Sequence, residues 1–226
     1  MSDFSTPYTP DSLEDMLGEG PEYSFQDFSL QGGGLYNYNR DDVEFDTAHN
    51  FSMPLERLPR RSRDQFPELS LPLRVIKHIS VEASMSSHDR ILDIGSGKGR
   101  LAVMLHTLTG AQVRGIEIEP SYVTYARERT HNFSGISFET GDATKVEFQD
   151  ENIICLINPF RGALMENLLT RIHTYYLEKK EQDSDSSLKI ISQGICSFHL
   201  QSKPWLKQVG SGDGILSVGI FELCRD

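Results

Sequence analysis

Cysteine, tryptophan and long apolar runs are all scarce in this chain, and basic residues are nearly missing from its first fifty positions. The three cysteines, Cys155, Cys196 and Cys224, stand far apart in apolar surroundings. That number and spacing make neither a disulfide framework nor a zinc site; they suit buried thiols in a reducing compartment. No apolar run approaches the ~18 residues that a membrane helix needs. The opening stretch MSDFSTPYTPDSLEDML is acidic and has no apolar segment of the secretory kind. The expectation is therefore a cytoplasmic protein without a membrane partner. No group of His, Cys and carboxylates has ligand spacing, so no metal is expected.

The shortage of basic residues is local. The net charge is −11, from 33 acids and 22 Lys and Arg. The first fifty residues hold eleven of those acids and one base, Arg40, leaving 22 acids against 21 bases in the remainder. The near-neutral body lacks the basic footprint of a long nucleic-acid partner, while a short or structured RNA stays open. The arginines at Arg57, Arg60, Arg61 and Arg63 read first as a solvated helix face and second as an anion site.

The length of 226 residues allows one α/β domain with an extra arm. Residues 1–70 read as an acidic N-terminal arm and cap, partly flexible, and residues 71–226 as the main domain. Residues 1–35 show no lasting period, so the folded body is expected not to need them. Residues 36–70 hold apolar anchors at Phe45, Phe51, Met53 and Leu55. They read as a cap of short helices over a cleft, with Tyr36 and Tyr38 as lid residues.

From residue 70 the pattern becomes regular. SLPLRVIKHISVE starts a helix, with Ser70 as N-cap and a proline in its first turn. Next come strand DRILDIG, helix GRLAVMLHTLTG stopped by Gly110, strand AQVRGIEI and helix EPSYVTYARERTHN. Strand GISFETG, strand NIICLINPF, helix GALMENLLTRIHTYYLEKK and strand LKIISQGIC follow. Alternation of this kind gives a mostly parallel, Rossmann-like sheet with helices on both faces. KPWLKQV and ILSVGIFELC, joined by GSGDG, read instead as a closing antiparallel hairpin.

The chemistry centres on LDIGSGKGR, where Gly95, Gly97 and Gly99 bridge a strand and a helix. A phosphate-binding P-loop needs Gly-Lys followed by Ser or Thr, and here Gly99 follows Lys98. A dinucleotide turn needs G-x-G-x-x-G and would be repelled by Asp93. A carboxylate there suits an ammonium group, and the glycines let the backbone approach the amino-acid part of S-adenosylmethionine (SAM). Lys98 is expected to point to solvent. Glu117 ends the second strand, where an acid reaches ribose hydroxyls. Ile118 supplies an apolar wall for adenine. Asp142, in ETGDAT, and the backbone N–H of Ala143 suit its edge. The cofactor set is thus Asp93, Gly95, Ser96, Gly97, Glu117, Ile118, Asp142 and Ala143, with Asn158 alongside.

LDIGSGKGR, GIEIEP, GDAT and INPF, in that order over about residues 66–226, resemble the class I SAM-dependent methyltransferases. The resemblance implies a seven-stranded sheet whose last strand is antiparallel. The Asn-Pro-Phe strand end is similar to a group of bacterial methyltransferases. FPELS (66–70) with INPF has a fainter likeness to the non-SET histone lysine methyltransferases, without their aromatic-glycine-acid order. In relatives that methylate amino nitrogens the corresponding strand end is Asp/Asn-Pro-Pro-aromatic. By that likeness Asn158, Pro159 and Phe160 are the catalytic candidates: Asn158 accepts N–H bonds from the acceptor, and Phe160 stacks on it. The expected acceptor is a protein, peptide or small-molecule amine or amide. The rivals are an O-methyltransferase of a small metabolite, with His199 or, less well placed, His173 as base, and a non-catalytic SAM-binding partner protein. Neither the acceptor nor the oligomeric state is written in the sequence.

Overall fold

Residues 91–94, Ile-Leu-Asp-Ile, are buried on both faces of a strand. Such a strand belongs in the middle of a sheet with helices on both sides. The computed structural model, which describes residues 40–51, 71–211 and 218–224, places it there. In chain order its elements are helix α1 (Arg40–Ala48), helix α2 (Leu73–Glu82), strand β1 (Arg90–Ile94), helix α3 (Arg100–Thr109) and strand β2 (Gln112–Glu117). Helix α4 (Pro120–Thr130), strand β3 (Ile136–Thr140), a 3-10 turn (Ala143–Lys145), strand β4 (Ile153–Ile157) and helix α5 (Ala163–Gln182) come next. Strand β5 (Lys189–Gln193), helix α6 (Ile195–Gln201), strand β6 (Leu206–Ser211) and strand β7 (Val218–Leu223) complete the elements of the described residues.

The seven strands lie in the order β3-β2-β1-β4-β5-β7-β6. Pairs from β3 across to β5 are parallel. Strand β7 runs antiparallel between β5 and β6, so the tail is the hairpin read from the sequence, with a register shift between Gln208 and Gly210. From β1 the chain moves outward to β3 and then crosses back to β4. The crevice at the C-terminal ends of β1 and β4 is therefore the topological switch point, where ligands bind in open α/β sheets.

Two apolar layers cover the sheet. Helices α1 to α4 pack on one face with Ile91, Val113, Cys155 and Ile191. Helix α5 and the α6 residues Cys196 and Leu200 pack on the other with Leu92, Ile154, Leu156 and Phe221. Helix α3 ends at Gly110 in a left-handed conformation, and Pro120 sits in the first turn of α4 with Glu119 capping it. The apolar run after Lys189 was read as one strand through Cys196. Gly194, at φ 61°, ends the strand, and Ile195 opens the short helix α6.

At the front of the chain, residues 40–51 are described. Helix α1 joins the layer on the α2–α4 face, with Phe45 fully buried and Phe51 nearly so. Two acids of the same helix, Asp42 and Asp46, are buried as well. Both face Arg100, the first residue of α3: Nη2 reaches Asp42 Oδ1 at 2.9 Å, Nε reaches Asp46 Oδ1 at 2.5 Å, and Nη1 donates to the Leu71 carbonyl at 2.8 Å. Asp42 Oδ1 also accepts the Leu73 N–H at 2.7 Å, so it serves as a cap for α2 supplied by another helix. Beyond α1, the Asn50 carbonyl accepts from Arg129 Nε on α4 at 2.9 Å. Tyr36, Tyr38, Met53, Leu55, the arginines at 57–63 and the segment 66–70, Ser70 included, lie outside the described residues.

Candidate functional site

Four strand ends meet at the switch point. After β1 the backbone turns through Gly95, Ser96 and Gly97. The Gly95 and Ser96 N–H groups donate to the Ile116 carbonyl at 2.9 and 3.1 Å, which lays the turn against the end of β2. A Cβ on Gly95 would stand 2.8 Å from Pro159 Cβ, so this turn and the one after β4 are in direct contact. Only glycine allows that approach.

Asp93, at the floor of the turn, is 1% exposed, and its Oδ2 has no hydrogen-bond partner among the described residues. Ser96 Oγ is buried and unpartnered in the same way. Burial, with the Glu117 charge as a smaller contribution, pushes the Asp93 carboxyl up to about 7. An orphaned buried carboxylate oxygen is costly unless a cation or donor reaches it.

Glu117 is held by the backbone on both oxygens. Gly97 N–H donates to Oε2 and Glu119 N–H to Oε1, each at 2.9 Å. The carboxylate is thereby fixed beside the glycine turn, with lone pairs left over. Next to it Ile118 is 38% exposed, an apolar side chain offered to solvent at the rim. Asp142 follows β3 and caps the 3-10 turn: its Oδ1 accepts from Thr144 N at 3.0 Å and Thr144 Oγ1 at 2.7 Å. The Thr144 hydroxyl bond is the main reason its carboxyl lies below the usual range. Capping occupies Oδ1, and Oδ2 lies 3.5 Å from Lys145 Nζ. Ala143 is buried beside it.

After β4 the chain enters Asn158-Pro159-Phe160. Asn158 takes a left-handed backbone, φ 51°, and its Nδ2 donates to Gln193 Oε1 at 2.9 Å. Phe160 is 8% exposed and packs in the core layer of α5, a placement that leaves little ring face for stacking. Gln193, at the end of β5, has no signal in the sequence reading; only the pairing of β5 with β4 brings it to Asn158.

Lys98 corrects an expectation. It is 8% exposed, with Nζ 5.1 and 5.3 Å from the ring centroids of Tyr122 and Tyr125 on α4. Contact with the two rings, cation to π face, holds it inward. His199 sits on α6 with Nδ1 2.9 Å from Glu166 Oε1, and Lys203 bonds the other oxygen of the same carboxylate. These two bonds, Lys203 first, hold Glu166 below the usual carboxylate range. His173 stacks on Trp205 at 4.4 Å, on α5 and away from the strand ends. Among the described residues no three His, Cys, Asp or Glu side chains form a metal-holding group, and no helix is long and apolar enough to cross a membrane.

Comparison with known proteins finds likeness to methyltransferases. Residues 85–175 match a family model described as a methyltransferase domain. A ribosomal RNA small subunit methyltransferase A from Thermotoga petrophila is 31% identical over 42% of this chain and 38% of its own length. A phosphoethanolamine N-methyltransferase from Plasmodium falciparum is 32% identical over 35% of this chain and 30% of its own. The chain therefore spans 30% to 38% of the length of these two curated relatives. A solved RNA methyltransferase from Salinibacter ruber, in complex with S-adenosyl-L-homocysteine, superposes with a TM-score of 0.53 at 17% identity, covering 70% of this chain and 95% of that one.

Proposed function

We propose that this chain, which carries a methyltransferase domain at residues 85–175 within a class I methyltransferase sheet, is a SAM-dependent methyltransferase acting on nitrogen. The observation that carries the reading is the buried Asp93 carboxylate at the floor of a glycine turn, whose Oδ2 has no partner among the described residues. It fits an ammonium and repels a diphosphate. SAM matches the donor set in order. Asp93 would hold its ammonium, and Gly95, Ser96 and Gly97 would line its amino-acid part. Glu117 would take the ribose hydroxyls, Ile118 a face of the adenine, and Asp142 with Ala143 the edge of that base. When bound, SAM supplies a methyl group made electrophilic by sulfonium.

The protein's share of the chemistry is alignment and exclusion of water. Asn158 stands at the switch point and offers an amide oxygen. That oxygen accepts a hydrogen bond from a neutral amine or amide and does not remove a proton from an ammonium. The acceptor nitrogen must therefore arrive uncharged, and its proton leaves to solvent. The relatives are named for ribosomal RNA and for phosphoethanolamine, so the acceptor class rests on Asn158 and not on them. Pro159, seated on Gly95, fixes the turn. The bond from His199 Nδ1 to Glu166 favours a second reading, in which a carboxylate orients His199 as base toward an oxygen acceptor.

Two results follow. Glu117→Ala removes both the ribose contact and the anchor of the Gly97 N–H. Charge-assisted bonds of this kind contribute roughly 1.5–3 kcal/mol, so SAM affinity by calorimetry should fall on the order of tenfold or more. In the parent protein ATP and NAD should not compete for the single site; tight NAD binding would sink the reading. Asn158→Ala should bind SAM almost normally while losing most methyl transfer, and Asn158→Asp should keep part of it. Radiolabelled SAM with a proteome extract and a metabolite pool supplies the assay. Full transfer by Asn158→Ala, with loss in His199→Ala, would move the chemistry to oxygen.

A further inference from the structure

We infer that Gln193 is a positioning residue that sets which way round the Asn158 amide stands, and that the pair selects acceptor atoms bearing an N–H. The inference rests on the SAM-site reading above.

Three strand ends interlock around Asn158. Its φ of 51° is a left-handed conformation that asparagine tolerates better than most residues. Strained backbone of this kind persists where the surroundings over-determine it. On one side Pro159 lies against Gly95, leaving no space for a Cβ there. On the other, a Cβ on Gly194 would stand 2.9 Å from Asn158 Oδ1 and 3.3 Å from Nδ2. The side-chain amide thus occupies the room that Gly194 leaves open. From below, the Cys196 thiol donates to the Phe160 carbonyl at 3.6 Å.

Gln193 is buried and paired within the sheet, with Ile157 on β4 and Val218 on β7, so its side chain has little freedom. Its Oε1 accepts one Asn158 N–H at 2.9 Å. An amide has two donors and one acceptor oxygen. With Nδ2 committed to Gln193, the rotation that exchanges oxygen and nitrogen would break this bond for as long as the buried Gln193 amide keeps its own orientation. The oxygen is then presented in a constant place, ready for a donor. An acceptor atom with an N–H gains a bond there; an ether or thioether does not.

Sinefungin and S-adenosyl-L-homocysteine test this without a known acceptor. Sinefungin carries an amine where SAM carries its transferable methyl, and S-adenosyl-L-homocysteine carries nothing there. The parent protein should prefer sinefungin. Gln193→Met, of similar size and without an acceptor oxygen, should lower that preference about tenfold, with S-adenosyl-L-homocysteine affinity unchanged. Gln193→Glu should retain it, because a carboxylate still accepts from Nδ2. The double variant Asn158→Ala with Gln193→Met should be no worse than Asn158→Ala alone, as expected when one residue acts through the other. Full preference in Gln193→Met alongside its loss in Asn158→Ala overturns the role of Gln193. Loss in Gln193→Glu equal to that in Gln193→Met overturns the orientation. Unchanged preference in Asn158→Ala removes Asn158 from the methyl position and the inference with it. Failure of the parent to bind either compound overturns the SAM-site reading itself.

Discussion

SAM binding at pH 6 will release close to one proton, and its affinity will rise about tenfold per pH unit from pH 5 until about pH 7. The source is Asp93. Burial foremost, and then Glu117, raise its carboxyl to about 7 in the ligand-free protein. Below that value the free site holds a proton, and an ammonium ligand must expel it to gain an ion pair. Above it the carboxylate is already ionised, so the dependence flattens. Above about pH 8 the ligand's own α-amino group begins to lose its proton and affinity falls again. The sign also applies to folding. A carboxyl raised above its unfolded value of 3.8 contributes nothing below that pH, and destabilises the ligand-free fold progressively as pH rises from about 4 to about 7. Calorimetry in buffers of differing ionisation enthalpy counts the proton directly. Asp93→Asn should abolish the pH dependence and weaken SAM on the order of a hundredfold, since it removes one partner of a buried ion pair. A proton count near zero at pH 6 would mean that Asp93 does not meet the cation.

Arg100→Met is expected to destabilise the protein by about 3–5 kcal/mol, the range for breaking a buried ion pair from one side. Arg100 is 2% exposed and bonds Asp42, Asp46 and the Leu71 carbonyl. Its loss leaves two carboxylates and a carbonyl facing a methionine. Asp46→Asn should cost much less. Burial already raises the Asp46 carboxyl, with Arg100 opposing, and asparagine still offers an oxygen to Nε. Urea unfolding of the two variants makes the comparison. Equal, small losses would show that the cluster is hydrated in solution. A chain shortened to begin at residue 52 should resemble Arg100→Met and not the parent.

Most of the sheet was legible because its strands are short apolar runs bounded by glycine, proline or charge. IICLI and RILDI need no tertiary knowledge to be placed. The glycine turn, Glu117 and Ile118 were found at strand ends for the same reason: the alternation of strand and helix says where each crevice residue must lie. What escaped depends on partners far away in sequence. Nothing near Lys98 announces Tyr122 and Tyr125 as its cover. Asp42 and Asp46 look like any solvated acids until α1 is laid on α3, more than fifty residues away. Gln193 reads as one polar residue in an apolar strand, and only the β4–β5 register gives it Asn158 as a neighbour. The run LKIISQGIC carries no period that separates strand from helix, so a single positive φ at Gly194 decided where β5 stops.

The insertion of β7 between β5 and β6 has a consequence for biosynthesis. Among the described residues strand β6 is hydrogen-bonded to β7 alone, so it gains a place in the sheet only after Val218–Leu223 has been made. Until then a chain emerging from the ribosome shows the unpaired edge of β5, KIISQ, with Ile190 and Ile191 destined for opposite faces of the core. Synthesis at about 5–20 residues per second keeps that edge open for seconds after β5 appears. An apolar, unpaired edge is a template for pairing with a second nascent chain. A stalled or truncated product lacking β7 should therefore be a stronger substrate for chaperones than one shortened within the first forty residues.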